Sequence, residues 1–403
     1  MYSDSDIADI LIVGAGPAGC AASVELARAG LVVEMIDRAD PQSRDHAGET
    51  LASDIAPLLM QLGVWEQFRT QDQPPCFGMQ TCWGTTGSDA SSCILSPYGH
   101  GWHVDRQRLD SLLAEQAKMM GVSVHRQSRI RQLRHENGTL WEATVENGSF
   151  TRKISSRFLI DASGRNSPLR NHLGAKDHVH DHLVGVGAWF DTDPAADSDQ
   201  NAALIEATEQ GWWYSAPTSD NARRIAVFMT DLDLYRHGRS ASGTYWQQRL
   251  LDTEQLRRLL RGAPQPGPLR TYVASSHQVL QLGQSGWLPV GDALQSVDPL
   301  SGRGVANAIQ SGIDAAAAYV AEVDGRIDAI TDYLQSSQRS FSQYLVERLE
   351  VYGMEDRWRQ STFWRRRTGH AVHGTTSETN TGLNQPQTGC LTRTDLWETR
   401  PWP

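Results

Sequence analysis

Six residues, Gly14-Ala15-Gly16-Pro17-Ala18-Gly19, limit the possible folds of this chain more than any others. An apolar run, Ile10–Val13, precedes them, and a helix-forming run, Ala18–Ala29 with Gly30 as its stop, follows. Leu31–Ile36 then reads as a second strand, ending at Asp37-Arg38. Strand, glycine turn, helix and strand within about thirty residues make the βαβ unit of a mononucleotide-binding half. The first glycine allows the tight turn, the second lets backbone approach a pyrophosphate, and the third lets helix and strand pack closely. Helix N-terminal amides then meet the phosphate charge. Asp37 is placed for a ribose diol. The expectation is an α/β chain with a dinucleotide site.

A second segment, Val290 to Gly304, narrows the cofactor. Gly291-Asp292 ends an apolar strand, and Asp298-Pro299-Leu300-Ser301-Gly302-Arg303-Gly304-Val305 breaks the chain before a long Ala-rich helix. Asp292 is suited to accept from a ribityl hydroxyl. The helix start, with Pro299, Ser301, Gly302, Gly304 and Val305, would aim its positive end at a flavin edge that gains negative charge on reduction. A nicotinamide dehydrogenase needs only the first segment. A protein that also positions an isoalloxazine ring needs both, so FAD is the expected cofactor.

The 403 residues, 39% hydrophobic, supply one large or two closely joined domains. A net charge of −10 argues against nucleic-acid binding. Five cysteines (Cys20, Cys76, Cys82, Cys93, Cys390) are an odd number without metal-ligand spacing, which reads as reduced thiols in a cytoplasmic protein with no bound metal. No signal peptide fits the start, and no apolar run spans a bilayer.

The expected organisation is a discontinuous cofactor domain at 1–180 and 281–325, with a sheet subdomain at 181–280 between its parts. A helical region at 326–369 and an irregular tail at 370–403 follow. Helices are expected at Leu51–Leu62, Arg106–Met120, Thr244–Arg261, Arg303–Val323 and Ile327–Tyr352. Strands are expected at Val122–Arg126, Leu140–Val145, Phe150–Ile154, Phe158–Ala162, Val184–Phe190, Gly211–Ala216, Ile225–Thr230 and Thr271–Ala274. Gln71–Pro97 reads as loop and strand.

Four blocks carry a family resemblance: Gly14–Gly19, Trp102-His103-Val104-Asp105-Arg106, Phe158-Leu159-Ile160-Asp161-Ala162-Ser163-Gly164-Arg165, and Gly291-Asp292 with Asp298-Pro299. The chain resembles the FAD-dependent aromatic monooxygenases of the glutathione-reductase-type fold. That implies a Rossmann FAD-binding domain with an inserted, aromatic-hydroxylase-like β-sheet substrate domain and a helical C-terminal part. It also implies that Arg106 lies beside the FAD phosphates and that Asp161 and Gly164 lie near the pyrophosphate. Gly48-Glu49 matches a pair in the halogenase and prenyl-reductase branches, so Glu49 is expected near the flavin. A prenyl-type reductase is disfavoured, because its Cys-rich signature is replaced by Arg44-Asp45-His46-Ala47.

Two readings compete within this group. Gly211-Trp212-Trp213-Tyr214-Ser215-Ala216-Pro217 resembles the substrate-sheet block of flavin-dependent tryptophan halogenases. Halogenases, however, hold the oxidant with a lysine, and Pro75-Cys76-Phe77-Gly78-Met79 has none. Ser301 stands where they carry Glu. The other resemblance is to flavoproteins that mature tryptophylquinone cofactors, through Trp83-Gly84, Pro97–His103, Gly211–Ser215, Asp298–Ser301 and Arg357–Arg367.

That resemblance implies hydroxylation of a tryptophan side chain in a partner protein, by way of a flavin C4a-hydroperoxide formed with O2. A small-molecule aromatic hydroxylase is a further alternative. Glu49, His46 and His103 are the candidate bases, unranked. Trp212, Trp213 and Tyr214 are the candidate substrate-stacking residues. Reduction would come from NADPH or NADH docking transiently, or from reduced flavin delivered by a separate reductase, since no second Rossmann unit is present. Neither a nucleic acid nor a membrane is an expected partner.

Overall fold

The computed structural model describes residues 7–39, 49–84, 89–92, 97–136, 138–148, 150–192, 202–219, 222–237 and 244–368. The expected tail at 370–403, together with His46, lies outside them.

The first glycine turn sits at the centre of a seven-stranded sheet. Its spatial order is Ser123–His125, Val33–Ile36, Ile7–Val13, Phe150–Asp161, Leu140–Asn147 and Arg129–Glu136, with Trp287–Pro289 also paired to Phe150–Asp161. Ile7–Val13 runs parallel to Val33–Ile36 and to Phe150–Asp161, which in turn runs parallel to Trp287–Pro289. Three strand ends therefore open on one edge: Val13 beside Asp161, and Asp161 beside Pro289. Ligands of open parallel sheets bind at that carboxyl edge. The helices Pro17–Arg28 and Gly304–Val323 pack together over the sheet, burying Ala18, Ala22, Ile309 and Ile313 in one core.

A second seven-stranded sheet has the order Arg270–Val273, Leu183–Asp191, Arg223–Asp231, Gly211–Pro217, Ala203–Thr208, Gly78–Cys82 and Asp89–Ser92. Its last two strands come from far upstream, where the sequence shows only mixed loop and strand character. Strand alternation gives the sheet two unlike faces. One carries Phe190, Trp213 and Phe228 beneath Trp246 and Leu256 of two short helices. The other carries Trp212, Ile205 and Val227 beneath Trp83, Leu300 of the Pro299–Ser301 turn, and Tyr352 and Trp364 of the C-terminal helices.

Four expected elements differ from those observed. The segment expected as a Leu51–Leu62 helix opens as the strand Glu49–Leu51, paired to Gly101–Val104, and becomes α-helical only at Ala56–Gln61. Phe150–Ile154 and Phe158–Ala162 are parts of one strand, Phe150–Asp161. The expected Thr244–Arg261 helix is two, Thr244–Leu251 and Gln255–Leu259. The buried Glu206 carboxylate accepts from the backbone N–H groups of Glu254 (2.5 Å) and Leu256 (2.8 Å), capping the second helix from another strand. No sequence-local signal specifies that cap. The remaining boundaries agree within three residues; the first strand, expected from Ile10, starts at Ile7, and the long helices are Gly304–Val323 and Ala329–Gly353.

Candidate flavin site and its substrate face

The glycine turn is locked from two sides. The Gly14 N–H donates to the Ile36 carbonyl at 2.8 Å. Its φ of +113° is open to glycine, and a Cβ there would lie 2.3 Å from the Ala162 carbonyl oxygen. The helix begins at Pro17, with Gly16 as an N-cap that makes no side-chain hydrogen bond. Its first-turn amides are thus left to a ligand, as a pyrophosphate requires.

Asp37 is buried at the end of the second strand. One carboxylate oxygen accepts from the Ala15 N–H and the other from the Ala39 N–H, both at 2.8 Å. The carboxylate expected to take a ribose diol therefore also fastens the glycine turn. Arg38 beside it is exposed.

Asp161 organises the middle of the site. Its carboxylate accepts from the Ser163 N–H (3.0 Å) and hydroxyl (2.6 Å) and from the Ser167 hydroxyl. Complete burial pushes its pKa up, although these donors act against that shift. The Ser163-Gly164 turn delivers Arg165, which donates to the Ser275 (2.9 Å) and Val297 (3.0 Å) carbonyls and pairs with Asp292 at 3.2 Å. Arg165 thereby connects the upstream and downstream halves of the site. Arg106, expected beside the phosphates, starts the helix Arg106–Met119 and pairs with Asp110 at 3.3 Å.

Downstream, Gly291 adopts a φ of +56°, and a Cβ there would come within 2.7 Å of the Ala18 Cβ. The two segments expected to bind flavin meet at that point. Asp298 is buried and caps the turn by accepting from the Leu300 N–H at 2.9 Å. Its other oxygen accepts from the Tyr352 hydroxyl (2.8 Å), which accepts from the Trp212 indole N–H (2.9 Å). Arg348 lies 3.6 Å from Asp298 and 3.1 Å from Asp181. Burial raises the Tyr352 pKa well above its usual value, so the phenol stays protonated. Around Gly302–Gly304 the surface is open: Ser301, Gly302 and Gly304 are exposed, and a Cβ on either glycine would meet nothing. Val305 is buried behind them, and Pro299 is half-buried. The twenty-residue helix from Gly304 also starts without a side-chain cap. This open, positively polarised helix end fits a flavin ring edge.

The substrate-facing candidates fall on two sides of their strand. Trp213 packs against Phe228 and Trp246 on the helix-covered face, with ring centroids 5.1 and 5.0 Å away. Trp212 and Tyr214 take the opposite face, where Trp212 is fully buried and Tyr214 half-buried. The Thr50 hydroxyl lies 3.0 Å from the Tyr214 hydroxyl and 3.0 Å from Nδ1 of buried His103. His103 and Tyr214, both expected at the site, are thus brought together by a residue that sequence reasoning missed. Glu49 stands on the same strand as Thr50, opposite Val104.

With this geometry in hand, comparison with known proteins decides the family. A family model described as "FAD binding domain" matches residues 7–349. The chain belongs to the FAD binding domain family. It is an FAD-dependent oxidoreductase of mixed α/β fold, and the glycine turn, Asp37, Asp161 and the Gly291–Gly304 segment are residues that could hold its FAD.

Among relatives, LodB of Marinomonas mediterranea, named as an FAD-dependent oxidoreductase, is 29% identical over 89% of this chain and 96% of its own. A 1H-pyrrole-2-carbonyl-[peptidyl-carrier protein] brominase of Pseudoalteromonas luteoviolacea is 25% identical over 79% of this chain and 78% of its own. Among solved structures, the flavin-dependent halogenase CmlS superposes with a TM-score of 0.80 at 24% identity, covering 90% of this chain and 67% of its own. QhpG, a peptidyl tryptophan dihydroxylase essential for tryptophylquinone cofactor biogenesis, gives 0.69 at 23% identity, covering 92% and 80%. The two structural matches show the shared fold.

Within this FAD-binding frame two further features bear on chemistry. The first is lysine. The sequence has only Lys118, Lys153 and Lys176. All three are exposed, with Lys118 paired to Glu115 (2.7 Å) and Lys153 to Glu142 (3.0 Å). None belongs to the strands that carry Trp212, Tyr214, Thr50 or His103.

The second is His277, buried beneath the Arg165 layer. Its Nδ1–H donates to the Ser296 hydroxyl (2.6 Å), which itself donates to the Ser275 carbonyl, and its Nε2 accepts from Arg170. That arrangement requires a neutral ring. Burial, reinforced by Arg170 and Arg165, pushes its pKa down to about 3. Between that value and the ordinary histidine value near 6.5, the unfolded chain binds a proton that the folded one does not. Stability from this group is therefore complete above about pH 6.5 and falls by roughly 1.4 kcal/mol per unit of acidification below it. Denaturant midpoints at neutral pH and at about pH 5 measure the loss, and His277→Gln should flatten that slope.

Among the described residues no helix is long and apolar enough to cross a membrane. Cys20, Cys76 and Cys82 are buried, and none is in a disulfide among the described residues.

Proposed function

We propose that this oxidoreductase is a monooxygenase that hydroxylates the indole ring of a tryptophan in a partner polypeptide, as a step in building a tryptophylquinone cofactor. The observation that carries this reading is the placement of lysine. Electrophilic halogenation, by the resemblance that raises it, needs an ammonium group to hold the oxidant. Here every lysine is a surface residue outside the substrate face. The named activity of QhpG supports the same direction.

Bound FAD, once reduced, supplies activation of O2. The protein's own residues supply the rest. The Gly304 helix end stabilises negative charge at the flavin edge. Trp212, Leu300, Trp83 and Tyr352 keep water from the adjoining face. Tyr214 and His103 are the groups available to the ring proton. Reducing equivalents come from NADPH, NADH or a flavin reductase, and the reaction belongs in the cytoplasm, with neither nucleic acid nor membrane as partner.

Aryl halogenation is the second reading, favoured by relatives such as the brominase. The two separate cleanly when reduced enzyme, air, chloride, bromide and a tryptophan peptide are combined. Hydroxylation adds oxygen and leaves both halides unused, whereas a halogenated peptide would sink the proposal.

A further inference from the structure

We propose that Thr50 is a proton bridge that joins Tyr214 on the substrate sheet to buried His103; the proposal rests on the hydroxylase reading. Three separate stretches of chain build the bridge. Thr50 sits on Glu49–Leu51, and antiparallel pairing sets it directly opposite His103 on Gly101–Val104. Cross-strand partners place their side chains on one face, so the short Thr50–His103 contact follows from the register. Tyr214 arrives from a strand 164 residues downstream and reaches the same hydroxyl.

The two contacts, each 3.0 Å, form a continuous line Tyr214 Oη, Thr50 Oγ1, His103 Nδ1. A threonine hydroxyl both donates and accepts, so it can pass a proton without holding charge. The outer end, Tyr214, is half-buried on the same strand face as Trp212, and the inner end, His103, is sealed from solvent. Such a line has an open mouth and an internal base.

The proton balance is complete. When an aromatic ring carbon gains oxygen, its C–H bond must break, and the bonding pair restores the ring. The released proton joins Tyr214 Oη as the tyrosine's own proton passes to Thr50 Oγ1. The threonine proton passes in turn to His103 Nδ1. Tyrosine and threonine end unchanged, histidine ends as imidazolium, and no oxidant is needed beyond that of the hydroxylation itself. Thr50 and His103 are positioning and relay residues here, reached through Tyr214.

The test uses FAD-loaded full-length protein with ¹⁵N-labelled histidine. Thr50→Val keeps the shape and removes the hydroxyl, Thr50→Ser restores it, and Tyr214→Phe cuts the outer link. In the absence of substrate, the His103 Nδ1 resonance should move in Thr50→Val and in Tyr214→Phe and return in Thr50→Ser. A His103 signal indifferent to Tyr214→Phe would show that the line is not connected and overturn the bridge, whatever the substrate proves to be. In turnover, Thr50→Val should lower product per reduced flavin by about a hundredfold and lose the solvent deuterium effect, with KM for the peptide unchanged and Thr50→Ser rescuing both. If wild-type enzyme hydroxylates and Thr50→Val matches it, the relay is wrong while the hydroxylase reading stands. If wild-type enzyme makes no hydroxylated tryptophan, that reading and the relay's chemical role fall together, and the resonance test alone decides the connection.

Discussion

Gly14→Ala should yield a chain that purifies without flavin colour. The new methyl would lie 2.3 Å from a backbone oxygen of Ala162, and the φ of +113° disfavours any side chain. Strained backbone costs about 1–3 kcal/mol, and overpacking adds about 1–3 kcal/mol more. Neither Ala162 nor the turn can yield, because Ala162 N–H donates to Val13 and Gly14 N–H to Ile36. Movement of either would displace the uncapped first turn at Pro17, where the phosphates are expected. Gly30→Ala is the matched control. It has a positive φ as well, +86°, but a Cβ there meets nothing, so it should cost about 1–2 kcal/mol and keep its flavin. Absorbance near the flavin band per mole of protein compares the two. Full FAD occupancy in Gly14→Ala would refute the placement of the pyrophosphate.

A large loss of stability is expected from Asp298→Ala. This carboxylate is fully buried and receives the Leu300 N–H, the Tyr352 hydroxyl and the Arg348 guanidinium. Its removal leaves Arg348 with Asp181 as a partner and a phenol without its acceptor. Breaking a buried ion pair from one side costs about 3–5 kcal/mol. Tyr352→Phe removes the hydroxyl that donates to Asp298 and accepts from Trp212, and should cost about 1–3 kcal/mol. Urea denaturation of the FAD-loaded protein gives both values. A double-mutant cycle between the two positions should show coupling, since they share one hydrogen bond. An Asp298→Ala protein as stable as wild type would mean that the Trp212–Tyr352–Asp298 line does not hold the flavin turn to the substrate sheet.

The sequence made the sites with local grammar legible. Gly14–Gly19 has its strand before and helix after, and Gly291–Gly304 has its Pro break and helix start, so both segments could be placed without coordinates. The same holds for Trp212 and Tyr214 as members of one strand. What local grammar does not encode is which distant residue completes each site. Thr50 pairs with His103 across 53 residues and with Tyr214 across 164. Tyr352 reaches Asp298 across 54 residues and Trp212 across 140. No periodicity links such positions, and a threonine or tyrosine in isolation carries no signal. The misplaced helix start at Leu51 has the same origin: Glu49–Leu51 is held extended by pairing with Gly101–Val104, a tertiary partner that outweighs the helix-forming residues following it. Trp213 illustrates the reverse case. Its neighbours suggested a stacking role for the whole Trp-Trp-Tyr run, whereas strand alternation alone assigns Trp213 to the helix-covered side.

The most direct measurement of the proposed activity is the intact mass of a tryptophan-bearing partner polypeptide after reaction with the FAD-loaded enzyme, a reductant and ¹⁸O2 in buffer containing bromide. Hydroxylation predicts one or two heavy oxygens on a single tryptophan, drawn from the gas and absent when reductant is withheld. A bromine isotope doublet on that residue, or oxygen drawn from water, would contradict it.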